Sequence, residues 1–215
     1  KYVKEEAMAN ILISSNHILM PSDRNGYMQL YLYNMNGQLL RKVTDGQYDV
    51  TDVYGYDEQT GATYYQAAGK NPMNREVYVT YKNGKTECLT SRDGWNIAVF
   101  SADYKYFVNQ WSDRNTPYEY GIFNNSGKET VSLITNSELK KTLAEYDLPS
   151  KEFFSFKTSE GVQLNGVMIK PANFDASKKY PVIMWQYSGP GSQQVVNSWN
   201  IGSMGQGALL DQYLV

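Results

Sequence analysis

The chain has 215 residues, with 20 Lys plus Arg against 22 Asp plus Glu and a formal net charge of −2. That balance excludes a phosphate backbone as the main partner, because binding one needs a clear excess of basic side chains. Hydrophobic residues make up 41% and aromatics 14%, with 19 tyrosines, which is far too much packing material for a disordered chain.

Residues 17–135 are built from a repeat. Ser22-Asp23-Arg24-Asn25 recurs as Ser112-Asp113-Arg114-Asn115, and a weaker copy lies between them around Lys70-Asn71. Each copy leads into an aromatic strand: Met28-Gln29-Leu30-Tyr31-Leu32-Tyr33, then Glu76-Val77-Tyr78-Val79-Thr80-Tyr81, then Tyr118-Glu119-Tyr120-Gly121-Ile122-Phe123. Each strand meets a glycine turn, at Asn36-Gly37, Asn83-Gly84 and Ser126-Gly127. Asn-Gly is the strongest short hairpin signal and predicts type I′ turns, with positive φ at both central residues. A short outer strand follows and closes on Thr44, Thr90 or Thr135, giving spacings of 46 and 45 residues. Ala62-Thr63-Tyr64-Tyr65-Gln66 and Tyr106-Phe107-Val108-Asn109-Gln110-Trp111 read as further strands. A period of that length with four strands is a propeller-blade signature. The expected fold is mainly β: about three four-stranded antiparallel blades of a partial β-propeller. Three blades do not close a ring, so further blades are expected before residue 1, and the unpaired edges should make this chain self-associate.

After Thr135 the pattern changes. Ser137 is placed to cap a short helix over residues 138–146, stopped by Pro149. Phe153-Phe154-Ser155-Phe156-Lys157 and residues 163–170 read as a hairpin around Thr158-Ser159-Glu160-Gly161. The continuous apolar run at residues 180–187 suits a strand covered on both faces. These are the opening strands expected of an α/β domain, incomplete here, with the boundary between residues 1–147 and 148–215.

Single residues carry less. No run of about 18 apolar residues is present to span a membrane. The lone Cys88 and the lone His17 cannot build a zinc site or a disulfide between them. His17 reads as a structural histidine bonded to a neighbouring backbone group, and Cys88 as a small buried hydrophobe. Asp93 and Asp113 read as turn-closing aspartates. Ser192 lacks a Gly-x-Ser-x-Gly elbow, so it is rejected as a nucleophile. The glycine-rich residues 202–207 do not spell a dinucleotide fingerprint, and no cofactor or metal is expected. Gly189-Pro190-Gly191 reads as a loop leaving the strand rather than an anion nest. The N-terminus shows no signal peptide, and Asp211-Gln212-Tyr213-Leu214-Val215 reads as the middle of an apolar segment. The sequence is therefore expected to be part of a longer protein.

The strand and loop Lys179-Tyr180-Pro181-Val182-Ile183-Met184-Trp185-Gln186-Tyr187-Ser188-Gly189-Pro190-Gly191-Ser192-Gln193 resembles the dipeptidyl peptidase IV family of serine peptidases. The order upstream is similar too: terminal blades, a helix running to Leu148-Pro149-Ser150, a hairpin, and the approach at residues 171–181. The resemblance implies a serine exopeptidase, with an α/β-hydrolase domain, that releases X-Pro or X-Ala dipeptides from peptides with a free N-terminus. It implies that Tyr187 is the oxyanion-hole donor and that Gln193 lines the substrate cleft. It also implies a homodimer, a periplasmic, cell-envelope or secreted location, and a Ser-Asp-His triad beyond Val215. This chain alone is then expected to be inactive. Two alternatives stay open: a propeller binding or scaffold module without catalysis, and an acylaminoacyl peptidase or oligopeptidase of the same clan.

Overall fold

The computed structural model describes residues 11–187, 189, 191–199 and 208–215, without the side chains of 208, 209 and 212. Packing divides the chain into two compact units, residues 1–111 with 120–134, and residues 112–119 with 135–215.

The first unit contains three four-stranded antiparallel meanders. The first runs β1 (Leu12–Ile13), β2 (His17–Ser22), β3 (Gln29–Asn34) and β4 (Leu39–Lys42). The second runs β5 (Val50–Tyr56), β6 (Thr63–Ala67), β7 (Glu76–Thr80) and β8 (Thr86–Cys88). The third runs β9 (Trp95–Phe100), β10 (Tyr106–Ser112), β11 (Glu119–Asn124) and β12 (Glu129–Ile134). Within each sheet every strand pairs with its neighbour in sequence, the pairing that the repeat predicted.

The middle sheet is apolar on both faces, and alternation along its strands explains how. Tyr65 and Ala67 face a core shared with Leu19, Leu30 and Leu32 of the first sheet. Tyr64, Val77 and Val79 face the opposite way, into a core with Ala98 and Phe107 of the third. Successive side chains of a strand point to opposite faces, so one strand serves two cores. Rings fill both spaces: Tyr65 stacks on Tyr78 at 5.7 Å, and Phe107 on Phe123 at 5.4 Å.

The recurring threonine has a physical role. Thr44 Oγ1 accepts from Leu30 N at 2.9 Å, and Thr90 Oγ1 accepts from Val77 N at 3.1 Å. Each hydroxyl thus extends the outer ladder by one bond past the end of the backbone pairing.

The turns differ from the type I′ expectation. Gly37, Gly84 and Gly127 have φ of 77°, 86° and 79°, while Asn36, Asn83 and Ser126 are not among the positive-φ residues. Gly37 N donates to Asn34 O and Asn34 N to Gln38 O, both at 3.0 Å. This is a three-residue loop, a type I turn closed by a glycine bulge, in which only the glycine must be left-handed.

Two other readings are corrected. His17 Nδ1 lies 2.7 Å from Glu58 Oε2, so its partner is a carboxylate 41 residues away and not a nearby backbone group. Cys88 is exposed, because β8 is a short outermost strand, and its thiol donates to Thr90 O at 3.1 Å.

The second unit holds α1 (Ser137–Ala144), the hairpin of β13 (Lys151–Lys157) with β14 (Gln163–Ile169), and α2 (Ala208–Tyr213). The cap of α1 is Asn136, in the left-handed region at φ 51°, rather than Ser137. Its side-chain amide is occupied elsewhere, donating to Tyr118 O. Residues 180–187 are not a strand: Val182 is 86% exposed and Met184 83%. A parallel strand draws its bonds from partners distant in sequence, and no described strand pairs with this run. Among the described residues no helix is long and apolar enough to cross a membrane, and no group of three His, Cys, Asp or Glu could hold a metal ion.

Candidate functional site

The residues singled out from the sequence lie in one loop of the second unit. Tyr187 ends the apolar run, half exposed, with its ring against Gly189, where an added Cβ would meet Tyr187 Cε1 at 2.8 Å. A side chain at position 189 would therefore displace the phenol. Ser192 N donates to Gly189 O at 3.1 Å, closing a tight turn in which Gly191 takes φ 76°. Ser188, Pro190 and residues 202–207 lie outside the described residues. Gln193 is exposed, and its amide donates to Val195 O at 2.9 Å, so it steadies the loop's own backbone.

The approach to this loop is built as its composition predicts. Asp175 Oδ1 accepts from Ser177 N at 2.9 Å, and Asp175 N donates to the Tyr180 hydroxyl at 3.0 Å. Phe174 stacks on Tyr180 at 5.1 Å. This turn delivers the chain to the apolar run.

The far end of the loop is tied down by the repeat segment at Asp113-Arg114-Asn115, of which the sequence marked only Asp113, as a turn-closing aspartate. Asp113 does close a turn, its Oδ1 accepting from Asn115 N at 2.8 Å and Thr116 N at 2.7 Å. Arg114 is 5% exposed, and its Nη1 donates to Val196 O at 2.8 Å. Its backbone N donates to Asn197 Oδ1 at 3.0 Å. Asn115 makes a reciprocal pair with the backbone of Lys151, donating to its carbonyl at 3.2 Å and accepting from its N–H at 3.0 Å.

Lys151 and Asp211 are buried in the same unit, at 5% and 6% exposure. Burial pushes the Lys151 ammonium below its ordinary pKa, the Arg114 charge adds to that shift, and Asp211 opposes it. Burial likewise lowers the Arg114 guanidinium, again opposed by Asp211. Arg114 Nε and Lys151 Nζ are buried without a hydrogen-bond partner among the described residues. The repeat itself was the only sequence signal for Arg114, and it pointed equally to Arg24. Nothing local marks Lys151 or Asp211.

Chemically, the loop offers an exposed phenol O–H beside a glycine turn, on a segment held at its far end. A phenol donor of this kind stabilises an oxyanion when it is fixed before charge develops.

Comparison with known proteins agrees with this organisation. Residues 1–118 match the family model described as the dipeptidyl peptidase IV (DPP IV) N-terminal region. A dipeptidyl peptidase 4 of Trichophyton equinum is 32% identical over 183 residues, 83% of this chain and 24% of that protein. The crystal structure of Porphyromonas gingivalis dipeptidyl peptidase 4 superposes with TM-score 0.88 at 36% identity, covering 92% of this chain and 28% of that one. A Bacteroides ovatus structure, 24% identical with TM-score 0.78 over 95% of this chain and 31% of its own, shares the fold. The chain spans about a quarter of the length of the curated relatives it matches. With three stacked meanders and a family model matched over more than half its length, the chain belongs to the dipeptidyl peptidase IV family.

Proposed function

We propose that this chain is a segment of a serine exopeptidase that releases X-Pro or X-Ala dipeptides from peptides with a free N-terminus. The observation that carries the reading is the likeness to Porphyromonas gingivalis dipeptidyl peptidase 4, 36% identical over 92% of this chain. In this reading the segment joins the last blades of a propeller to the start of an α/β-hydrolase domain, with the boundary near residue 148. The outer face of the third sheet supports the propeller part, since Ile97, Val99, Tyr106 and Val108 are exposed there as a further sheet would require. The Ser-Asp-His triad is supplied by other parts of the full-length protein, which is exported and dimeric, and the present chain alone is inactive.

Tyr187 donates to the carbonyl oxygen as it gains charge in the tetrahedral intermediate. Replacing it by Phe keeps the ring and removes only the donor. Losing one such donor costs roughly 10²–10³ in kcat, about 2.7–4 kcal/mol. Because the bond strengthens only in the transition state, KM stays near its original value. Steady-state kinetics of full-length Tyr187→Phe on Gly-Pro-p-nitroanilide tests this, with a thermal melt as the folding control. A folded variant with unchanged kcat leaves Tyr187 as a packing residue. Failure of the full-length protein both to turn over this substrate and to take a fluorophosphonate label would leave the scaffold reading instead.

A further inference from the structure

We propose that Arg114 is a positioning residue for the loop that carries Tyr187, acting through the backbone of residues 196–199. The proposal rests on the reading of Tyr187 given above.

The same four residues occur twice in the chain, and the structure uses them differently. At 22–25 the contacts seen among the described residues include two on the first sheet: Arg24 is exposed, lies over the Tyr31 ring at 4.1 Å and donates to the Tyr33 hydroxyl at 2.9 Å. At 112–115 they pack with the second unit. Four consecutive residues of the loop are then engaged from this one segment. Arg114 takes the Val196 carbonyl at 2.8 Å and, through its backbone N–H, the Asn197 side chain at 3.0 Å. Ser112 Oγ lies 3.4 Å from Ser198 Oγ and accepts from Trp199 N at 3.1 Å. Tyr118 donates to the Trp199 carbonyl at 3.0 Å.

Val196 and Ser198 are buried by this, while Tyr187 and Gln193 at the other end of the loop are exposed. The loop is therefore held at one end and presents its polar groups at the other. A guanidinium suits this task better than an ammonium, because its fixed fork keeps one direction toward a carbonyl; its Cζ lies 6.0 Å from the Phe153 ring centroid. A buried cation costs desolvation, so keeping one where an apolar residue would pack is expected to return something other than stability.

The test is made in the full-length enzyme with Gly-Pro-p-nitroanilide. Arg114→Met is expected to lower kcat by about 10- to 100-fold with little change in KM, since small misplacements of a catalytic group have effects of that size. Arg114→Lys, which keeps the charge but not the fork, recovers part of the loss. Adding Tyr187→Phe to Arg114→Met costs much less than Tyr187→Phe alone, because the phenol is already misplaced. Arg24→Met, the sequence-matched control, leaves kcat unchanged. A folded Arg114→Met with wild-type kcat, or losses that simply multiply, overturns the proposal. So does an Arg24→Met that loses as much.

Should Tyr187→Phe alone leave kcat unchanged, the oxyanion reading falls and hydrogen exchange decides the positioning role separately. Faster exchange of the backbone amides at residues 196–199 in Arg114→Met, but not in Arg24→Met, supports it; unchanged exchange overturns it. If Arg114→Met does not fold, Arg114→Lys carries the same two measurements, and wild-type values in both overturn the proposal.

Discussion

The strand β6 and the run at residues 181–187 each carry two aromatic side chains and a glutamine, yet they lie in opposite environments. All five residues of β6 are buried, with Tyr65 and Ala67 at 0% exposure. In the run, Val182, Ile183 and Met184 are 86%, 70% and 83% exposed. Composition does not separate them; the origin of their partners does. β6 pairs with β5 and β7, its neighbours in sequence, and its two faces meet sheets made by the preceding and following repeats. A fully buried strand of an α/β sheet needs partners brought from far along the chain. Apolar sequence states a demand for burial, and only pairing meets it.

The largest expected effect breaks this comparison directly. Phe107 is 1% exposed within the second core, so Phe107→Ala should cost this chain about 3–5 kcal/mol through lost burial and a residual cavity. Met184→Ser should change stability by no more than about 0.5 kcal/mol, as an exposed site does. Urea unfolding of both variants followed by circular dichroism checks the pair. A Met184→Ser cost near that of Phe107→Ala would mean the run is buried in solution.

A smaller effect compares two glycines in equivalent turns of the first unit. Gly84 and Gly127 share the left-handed conformation, which costs an L-residue about 1–2 kcal/mol. A Cβ at position 84 meets nothing within 4 Å, whereas at 127 it would lie 2.5 Å from the Leu89 carbonyl oxygen. Backbone cannot swing aside as a side chain can. Gly84→Ala should therefore pay only the conformational cost, and Gly127→Ala clearly more. Equal melting temperatures would show that the third sheet shifts to relieve the contact.

The smallest effect is a pH dependence confined to the first unit. Burial raises the Glu58 pKa, but hydrogen bonds from Ser14, Asn16 and His17, with the His17 charge, outweigh it and leave the carboxyl below its ordinary 4.5. A lowered folded value means the unfolded state takes up protons first. The contribution is therefore complete above about pH 4.5 and lost as pH falls through the folded value. Melting temperature should drop in that window and Glu58→Gln should flatten the drop. Identical pH profiles for the two proteins would remove Glu58 as its source.

Much of the first unit was legible because its information is local. The turn glycines, the aromatic strands and the closing threonines recur within each repeat, and antiparallel partners adjoin in sequence. The type I′ expectation failed at Asn36 because an Asn-Gly pair fits a three-residue loop as well as a two-residue one, and only strand register distinguishes them. In the second unit the hairpin β13–β14 was readable for the same local reason, with Gly161 at φ 81° in its turn. The candidate site was legible only in part: Tyr187 stood out through its loop motif, while Arg114 was hidden in a repeat that promised the same role as Arg24.

By itself, then, the sequence determined the three meanders, their order and their period, since each depends on residues a few positions apart. Tertiary structure alone decided that Glu58 meets His17, that Cys88 faces solvent, that Arg114 reaches Val196 and that Arg24 lies over Tyr31. Those outcomes join groups 41 or 82 positions apart, or depend on what covers a strand. Identical short sequences carry no record of which distant surface will meet them, so the partner is set when the chain closes.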